Sequence, residues 1–179
     1  MGDGYCFTYV RGLALEEVAT RLGGRLGEST PMTLEELAGV AYSRYDGKNM
    51  FFGAVAIEDW VLLVEPLGSL GVTEEIILPL SARTRLVSQY YLDIKCMDYF
   101  YWIEDGKIQL EFPYPERYSE KMPDELAETM QRIDSVFPPH AYPHEGPAFL
   151  LAESLTGITL TPQLLEESTY LCGGIPSPR

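Results

Sequence analysis

Short runs of apolar, β-branched and aromatic residues recur along the chain and predict β-strands, because such residues pack well on a pleated sheet. The runs cover residues 5–10, 51–57, 60–65, 84–92, 96–104 and 107–112. Asp105 and Gly106 between the last two runs indicate a hairpin, because a type I′ turn needs positive φ at both central residues. The acidic pair Glu58 and Asp59 predicts another tight turn, between the second and third runs.

Apolar residues at helical spacing predict helices that begin near residues 15, 33, 73, 124, 147 and 162. Thr33 and Glu36 have the spacing of a capping box. Pro79 is expected to limit the helix after Thr73 to about one turn, or to kink it. Strands and helices are largely segregated along the chain. This segregation predicts an α+β fold, in which about five to six strands form a mostly antiparallel sheet with helices packed on it. We expect one domain that spans residues 1–179.

The chain is strongly acidic, with 27 Asp and Glu against 13 Lys and Arg and a formal net charge of −14. Nucleic acids and anionic membranes are poor partners for such a surface, because basic side chains are needed to neutralise them. A basic protein surface would be attracted, although negative charge also keeps many proteins soluble. The chain shows no signal-peptide pattern, no long apolar run and no paired cysteine spacing. These features predict a cytoplasmic protein.

No motif in the sequence predicts a catalytic residue, a metal site or a cofactor. The glycine-rich stretch 23–27 follows a predicted helix and lacks the Lys-Ser/Thr ending of a phosphate loop. His140 and His144 stand among prolines, which disfavour the helix that would bring them to one metal ion. Cys172 is expected to be exposed beside two glycines, while the other two cysteines lie in predicted strands, where a thiol is inert.

The densest aromatic stretch is the predicted strand around residues 98–102. Because side chains alternate across a strand, two tyrosines share one face, and Asp98, Phe100 and Trp102 share the other. Large rings on both faces suit a strand that is buried against helices. They also suit a tyrosine-rich surface that recognises a protein or lines a ligand pocket.

Four stretches carry a family resemblance: CFTYVRGL at 6–13, WVLLVEPLG at 60–68, SARTRLVS at 81–88, and AESLTG at 152–157 followed by LTP at 160–162. Together they resemble an actinobacterial family that is known only as a domain of unknown function, and the resemblance extends over nearly the whole chain. It implies a cytosolic, single-domain protein. It also draws attention to Trp60 and Glu65, at the two ends of one predicted strand. Glu65, which precedes Pro66, suits either a functional acid or an acid that caps a turn.

Three functions fit these observations, and we favour a non-catalytic binding protein. In the first, an acidic, antidote-like or regulatory protein engages a basic protein partner. In the second, a small aromatic-stacking ligand is bound or sequestered in a pocket lined by Tyr and Trp, which requires an apolar cavity of at least ~300 Å³. In the third, an enzyme uses carboxylates and tyrosines that form no recognisable motif. The candidate binding residues are Trp60, Glu65, Tyr90, Tyr91, Asp98, Tyr99, Tyr101 and Trp102.

Overall fold

Seven antiparallel strands form one sheet in a computed structural model that describes residues 4–24, 26, 31–44, 46–95, 97–113, 123–137 and 146–178. The strands are β1 (Gly4–Arg11), β2 (Asn49–Ile57), β3 (Trp60–Glu65), β4 (Arg85–Leu92), β5 (Met97–Glu104), β6 (Lys107–Pro113) and β7 (Leu171–Pro176). Their order across the sheet is β6-β5-β4-β1-β3-β2-β7. β1 therefore lies at the centre, where it pairs with β3 and β4.

The helices are α1 (Leu15–Arg21), α2 (Leu34–Arg44), α3 (Glu74–Leu80), α4 (Ala127–Val136), α5 (Pro147–Thr156) and α6 (Pro162–Glu167). Single 3-10 turns occur at Leu70–Val72, Asp93–Lys95 and Asp124–Leu126. The capping box of α2 is confirmed: the N–H of Thr33 donates to Glu36 Oε2 at 2.9 Å, and the N–H of Glu36 donates to Thr33 Oγ1 at 3.3 Å. The expectation that Pro79 limits the helix to about one turn was wrong, because α3 has seven residues and ends at Leu80. α3 continues through it, because the proline removes only one bond and the N–H of Ser81 still donates to Ile77 O.

Both faces of the sheet are covered. The first face packs against α2, α4, α5 and α6 and includes Phe7, Phe100 and Trp102. The second face packs against α1, α3 and the turn Leu70–Val72, and it includes Leu63 and Tyr101. Rings of β5 thus alternate between the two faces as the sequence predicts, and the α+β class is confirmed.

The strand count is larger than the five to six that the sequence predicts, because β7 pairs with β2 at one edge of the sheet. Its sequence contains Gly173, Gly174 and Pro176, and these residues disfavour strands. A side chain at Gly173 would meet the ring of Phe52 at 2.8 Å, so glycine lets this backbone approach its neighbour closely. Cys172 is buried in β7, and the expectation that it is exposed was wrong.

Several predictions fall outside the described residues. They concern Cys96, His140 and His144, and also Arg25 and Gly27 of the glycine-rich stretch 23–27. No helix in the described part of the chain is both long and apolar enough to cross a bilayer.

Candidate functional site

The eight candidate residues divide between the two faces of the sheet. Those on the first face are Trp60, Tyr91, Asp98 and Trp102. Those on the second face are Glu65, Tyr90, Tyr99 and Tyr101. The candidates therefore do not form one surface, and the two groups have different surroundings.

Three residues of the first-face group, Trp60, Asp98 and Trp102, are buried, and Tyr91 is half-buried. Trp102 is 4 % exposed, its indole N–H donates to Oε1 of Glu104 at 2.8 Å, and the Arg85 guanidinium lies 5.2 Å from its ring centre. Trp60 is also buried, and it pairs with Arg11 at the end of β1 that lies farthest from Tyr91. These rings fill the space under the helices instead of presenting an exposed recognition surface.

Within the described part of the chain, two polar side chains on the first face are buried without hydrogen-bond partners. They are Gln89, whose amide is unpaired at both Nε2 and Oε1, and Tyr9, whose hydroxyl is unpaired. Gln89 pairs in register with Phe7, two residues before Tyr9, so the two polar groups are diagonal neighbours on one face. Burial raises the pKa of Tyr9 well above its ordinary range. This region buries polar groups at a cost in free energy and offers them no compensating bonds.

A cavity of about 470 Å³ opens on the second face, at the end of the sheet where β3 and β4 finish and β5 starts. The floor is formed by Tyr90 and Leu92 of β4 and by Met97 and Tyr99 of β5. The Tyr90 and Tyr99 rings lie 6.1 Å apart, tilted at 47°. The volume exceeds the ~300 Å³ typical of the smaller ligand pockets.

The cavity walls combine apolar surface with hydroxyl groups. Leu67, Ser69, Val72 and Thr73 form the wall opposite the sheet, and the turn Asp93–Lys95 forms the rim with Ile94 and Lys95. Ile94 is 83 % exposed, which is unusual for a large apolar side chain. Among the described residues that line the cavity, Lys95 is the charged one and none is acidic. The cavity can thus accept an apolar body and an anionic group.

Glu65 lies completely buried at the end of β3, close to this cavity. Its Oε2 accepts the backbone N–H of Leu70 at 3.0 Å, and Cys6 faces it from the neighbouring strand. No cationic side chain in the described ranges forms an ion pair with it. Burial raises the pKa of Glu65 to about 7, although the bonds from Leu70, Cys6 and Gly71 act in the opposite direction. The carboxyl therefore titrates near neutral pH.

The segment 66–71, which we call the gate segment, lies directly on this carboxyl. A side chain at Gly68 would overlap the carboxyl of Glu65, and one at Gly71 would overlap Thr8 and Ser88. Leu67 has a φ of 114°, a conformation that strains a bulky side chain. Glycine at positions 68 and 71 allows the backbone to approach the sheet closely. The chain reaches this position through a strained backbone at Leu67.

The gate segment also borders a second, smaller cavity of about 80 Å³. Leu67 and Ser69 line both cavities, and Arg44 and Phe51 line the smaller one from the far side. The gate segment is therefore the partition between two cavities.

No group of three or more His, Cys, Asp and Glu in the described ranges could hold a metal ion. A family model described as a family of unknown function, DUF6461, matches residues 1–179. The chain belongs to this family. No curated protein and no solved structure matches the chain. The DUF6461 match supports the resemblance seen in the sequence, and it assigns no activity or site residue.

For this DUF6461 chain, sequence reasoning selected Glu65, Tyr90 and Tyr99 and missed Leu67, Val72 and Lys95. The missed residues lie in connections, where burial and direction follow from the packing of other elements. One available signal was the sequence Pro66-Leu67-Gly68 directly after a strand, because a proline and a glycine around a bulky residue indicate a constrained turn.

Proposed function

We propose that the protein binds a small, largely apolar molecule that carries an anionic group, and that the site is the cavity beside Tyr90 and Tyr99. The observation that carries the proposal is the cavity of about 470 Å³, which has aromatic and aliphatic walls and, among its described lining residues, one charged residue at the rim. A non-catalytic binding protein is the function that these features support best.

The shape and chemistry of the walls support an aromatic or otherwise flat ligand. Tyr99 and Met97 offer apolar contact from the sheet, and Leu67 and Val72 offer it from the opposite wall. Ser69 and Thr73 add hydroxyl groups that can fix the orientation of a polar substituent. A ligand between these walls would remove their apolar surface from water.

The charge distribution supports an anionic group on the ligand. The chain carries a net charge of −14, yet the described lining of the cavity contains Lys95 and no acid. The ammonium group of Lys95 is exposed at the rim, where it can pair with a carboxylate or a sulfonate while the ligand body lies inside.

A matched pair of fluorescent probes tests the proposal. The anionic probe is 8-anilinonaphthalene-1-sulfonate, and the neutral one is N-phenyl-1-naphthylamine, which has the same rings without the sulfonate. We expect saturable binding of both probes to the folded protein. Val72→Trp should fill the cavity and lower the affinity for both probes at least tenfold, while the circular dichroism spectrum stays unchanged. Binding that is insensitive to Val72→Trp would contradict the proposed site.

The role of Lys95 is tested separately with the same probes. Lys95→Glu should weaken the sulfonate probe several-fold and leave the neutral probe nearly unchanged, because only the charged group contacts the rim. Lys107→Glu is the matched control, since Lys107 is an exposed lysine on the β5–β6 hairpin and makes the same change in net charge. Equal losses in the two variants would show that overall charge, and not Lys95, attracts the anion.

Binding of a basic protein is a second candidate, and the net charge of −14 is the observation that favours it. Complementary charge accelerates such association and makes it sensitive to salt. Because Tyr101 and Trp102 are buried, these two rings cannot serve as its contact surface. Capture of a basic protein from lysate that persists at high salt would count against this candidate.

A further inference from the structure

Glu65 is a buried acid without a counter-ion, and the gate segment that covers it is strained. The N–H of Leu70 donates to its carboxyl, and the backbone at Gly68 lies against the same group. Leu67, which precedes both residues, has a φ of 114° and lines both cavities. A negative charge that is buried without a cation is costly, so ionisation of Glu65 and closure of the gate segment oppose each other.

We propose that Glu65 is a latch on the gate segment: in its protonated form it holds the segment down as the partition between the two cavities, and on ionisation the segment lifts so that water reaches the carboxylate and the two cavities join. The inference rests on the proposed function, because the gate would regulate ligand entry into the same site. It adds a regulating residue that does not line the cavity itself.

The direction of the switch follows from the two environments of the carboxyl. In the closed form burial raises the pKa of Glu65 to about 7, whereas the ordinary value is 4.5. A carboxyl exposed to water in the open form would titrate near the ordinary value. The closed form therefore holds the proton more tightly, and rising pH favours the open form.

Among the groups packed around Glu65, the carboxyl of Glu65 itself is the group whose pKa lies near neutral pH. From β1 the Cys6 thiol faces it, and burial and the nearby carboxyl raise the pKa of Cys6 well above its ordinary value. Thr8 and Ser88 contribute hydroxyl groups beside Cys6, and the turn Leu70–Val72 contributes backbone N–H groups. Tyr90 of β4 is in register with Cys6, and its ring lies at the cavity.

Hydrogen exchange of the Leu70 and Gly71 amides, measured by NMR, tests the latch without a ligand. Between pH 5.5 and 8.0 we expect their opening constants, corrected for intrinsic exchange, to rise about 20-fold, because the open form loses its proton first. The amide of Ile103, on the same face but at the end of β5 that lies far from the gate segment, should show no comparable change. A flat profile at Leu70 and Gly71 would overturn the proposal, and this comparison needs only the wild-type protein.

Glu65→Gln keeps an acceptor for the N–H of Leu70 and removes the ionisation. It should hold the gate closed and abolish the pH dependence at both amides. Glu111→Gln is the matched control, because Glu111 accepts a hydrogen bond from Tyr101 and does not contact the gate segment. A pH profile that persists in Glu65→Gln would overturn the latch.

The association rate of 8-anilinonaphthalene-1-sulfonate links the gate to binding. The rate should rise with pH in the wild type and in Glu111→Gln, and it should stay low in Glu65→Gln. If the amides show the pH-dependent opening but no probe binds, the latch stands and the proposed function fails. If the probe binds and the amides show no pH dependence, the binding site stands and the latch fails.

Discussion

The two faces of the sheet bury polar side chains in opposite ways. On the first face, Gln89 and Tyr9 are enclosed in a packed core and have no hydrogen-bond partners. On the second face, Glu65 is equally buried but accepts backbone N–H groups, and it lies close to a cavity of about 470 Å³. One face thus contains uncompensated polar groups and little space, and the other combines a satisfied acid with space for a ligand.

The difference comes from the elements that cover the sheet. The first face is covered by four helices, α2, α4, α5 and α6, which have 11, 10, 10 and 6 residues. α1 and α3, which cover the second face, have seven residues each, and the turn Leu70–Val72 adds a single 3-10 turn. These short elements leave the end of β4 and the start of β5 uncovered. We infer that the number and length of the covering helices, and not the strands beneath them, determine which face can hold a ligand.

The largest expected contrast between the faces is the loss of stability when the ring is removed at one or the other of two adjacent positions of β5. Phe100→Ala should lower the free energy of unfolding by about 3–5 kcal/mol, because Phe100 is fully buried in the first-face core. Tyr99→Ala should cost less than half of that, because its ring borders the cavity. Urea unfolding of the two variants checks the difference. Equal losses would mean that the cavity wall is packed as tightly as the core.

The stability of the second face should depend on pH through Glu65. Its folded pKa of about 7 lies above the ordinary 4.5, so between these values the folded protein holds a proton that the unfolded chain has lost. The contribution of Glu65 to the free energy of unfolding is fully present below pH 4.5 and is lost as pH rises through about 7. It amounts to about 3 kcal/mol.

The measurement is urea unfolding of the wild type and Glu65→Gln at pH values from 4.5 to 8. As pH rises, the free energy of unfolding of Glu65→Gln should increase by this amount relative to that of the wild type. The other titrating groups contribute equally to both proteins and cancel in the difference. A constant difference would show that Glu65 keeps its ordinary pKa in the folded protein.

The smallest expected effect has opposite signs at neighbouring residues of β4. Gln89→Leu should stabilise the protein by about 1–2 kcal/mol, because it removes two unpaired buried atoms and keeps a similar volume. Ser88→Ala should destabilise it by about 0.5–1 kcal/mol, because Ser88 is hydrogen-bonded to Thr8 on the second face. Thermal unfolding would detect both. If Gln89→Leu is destabilising, the amide has a function that outweighs its cost.

The sequence was informative where local chemistry decides the structure. Thr33 and Glu36 form the predicted capping box, and Asp105 and Gly106 adopt φ values of 45° and 71°, as a type I′ turn requires. The alternation of side chains along β5 followed from its period of two residues. These features depend on residues that are close together in the sequence, so they can be predicted from the sequence alone.

The sequence was uninformative where distant elements decide the structure. β7 pairs with β2 despite its glycines, because an edge strand needs only one partner and Gly173 fits against Phe52. The cavity depends on how Val72 and Lys95, from two separate connections, meet above the sheet. Glu65 stood out by its position before a proline, but its burial follows from the gate segment that folds over it.

The central position of β1 has a consequence for how the chain folds. β1 ends at Arg11, whereas its partners β3 and β4 begin at Trp60 and Arg85. Both sides of the central strand must therefore wait for long loops to close, and such distant pairings slow folding. As the chain is synthesised, β1 emerges first among these three strands, with its apolar and aromatic side chains and its backbone hydrogen-bonding groups unpaired. Assembly of the sheet around this strand is the step at which we expect aggregation to compete with folding.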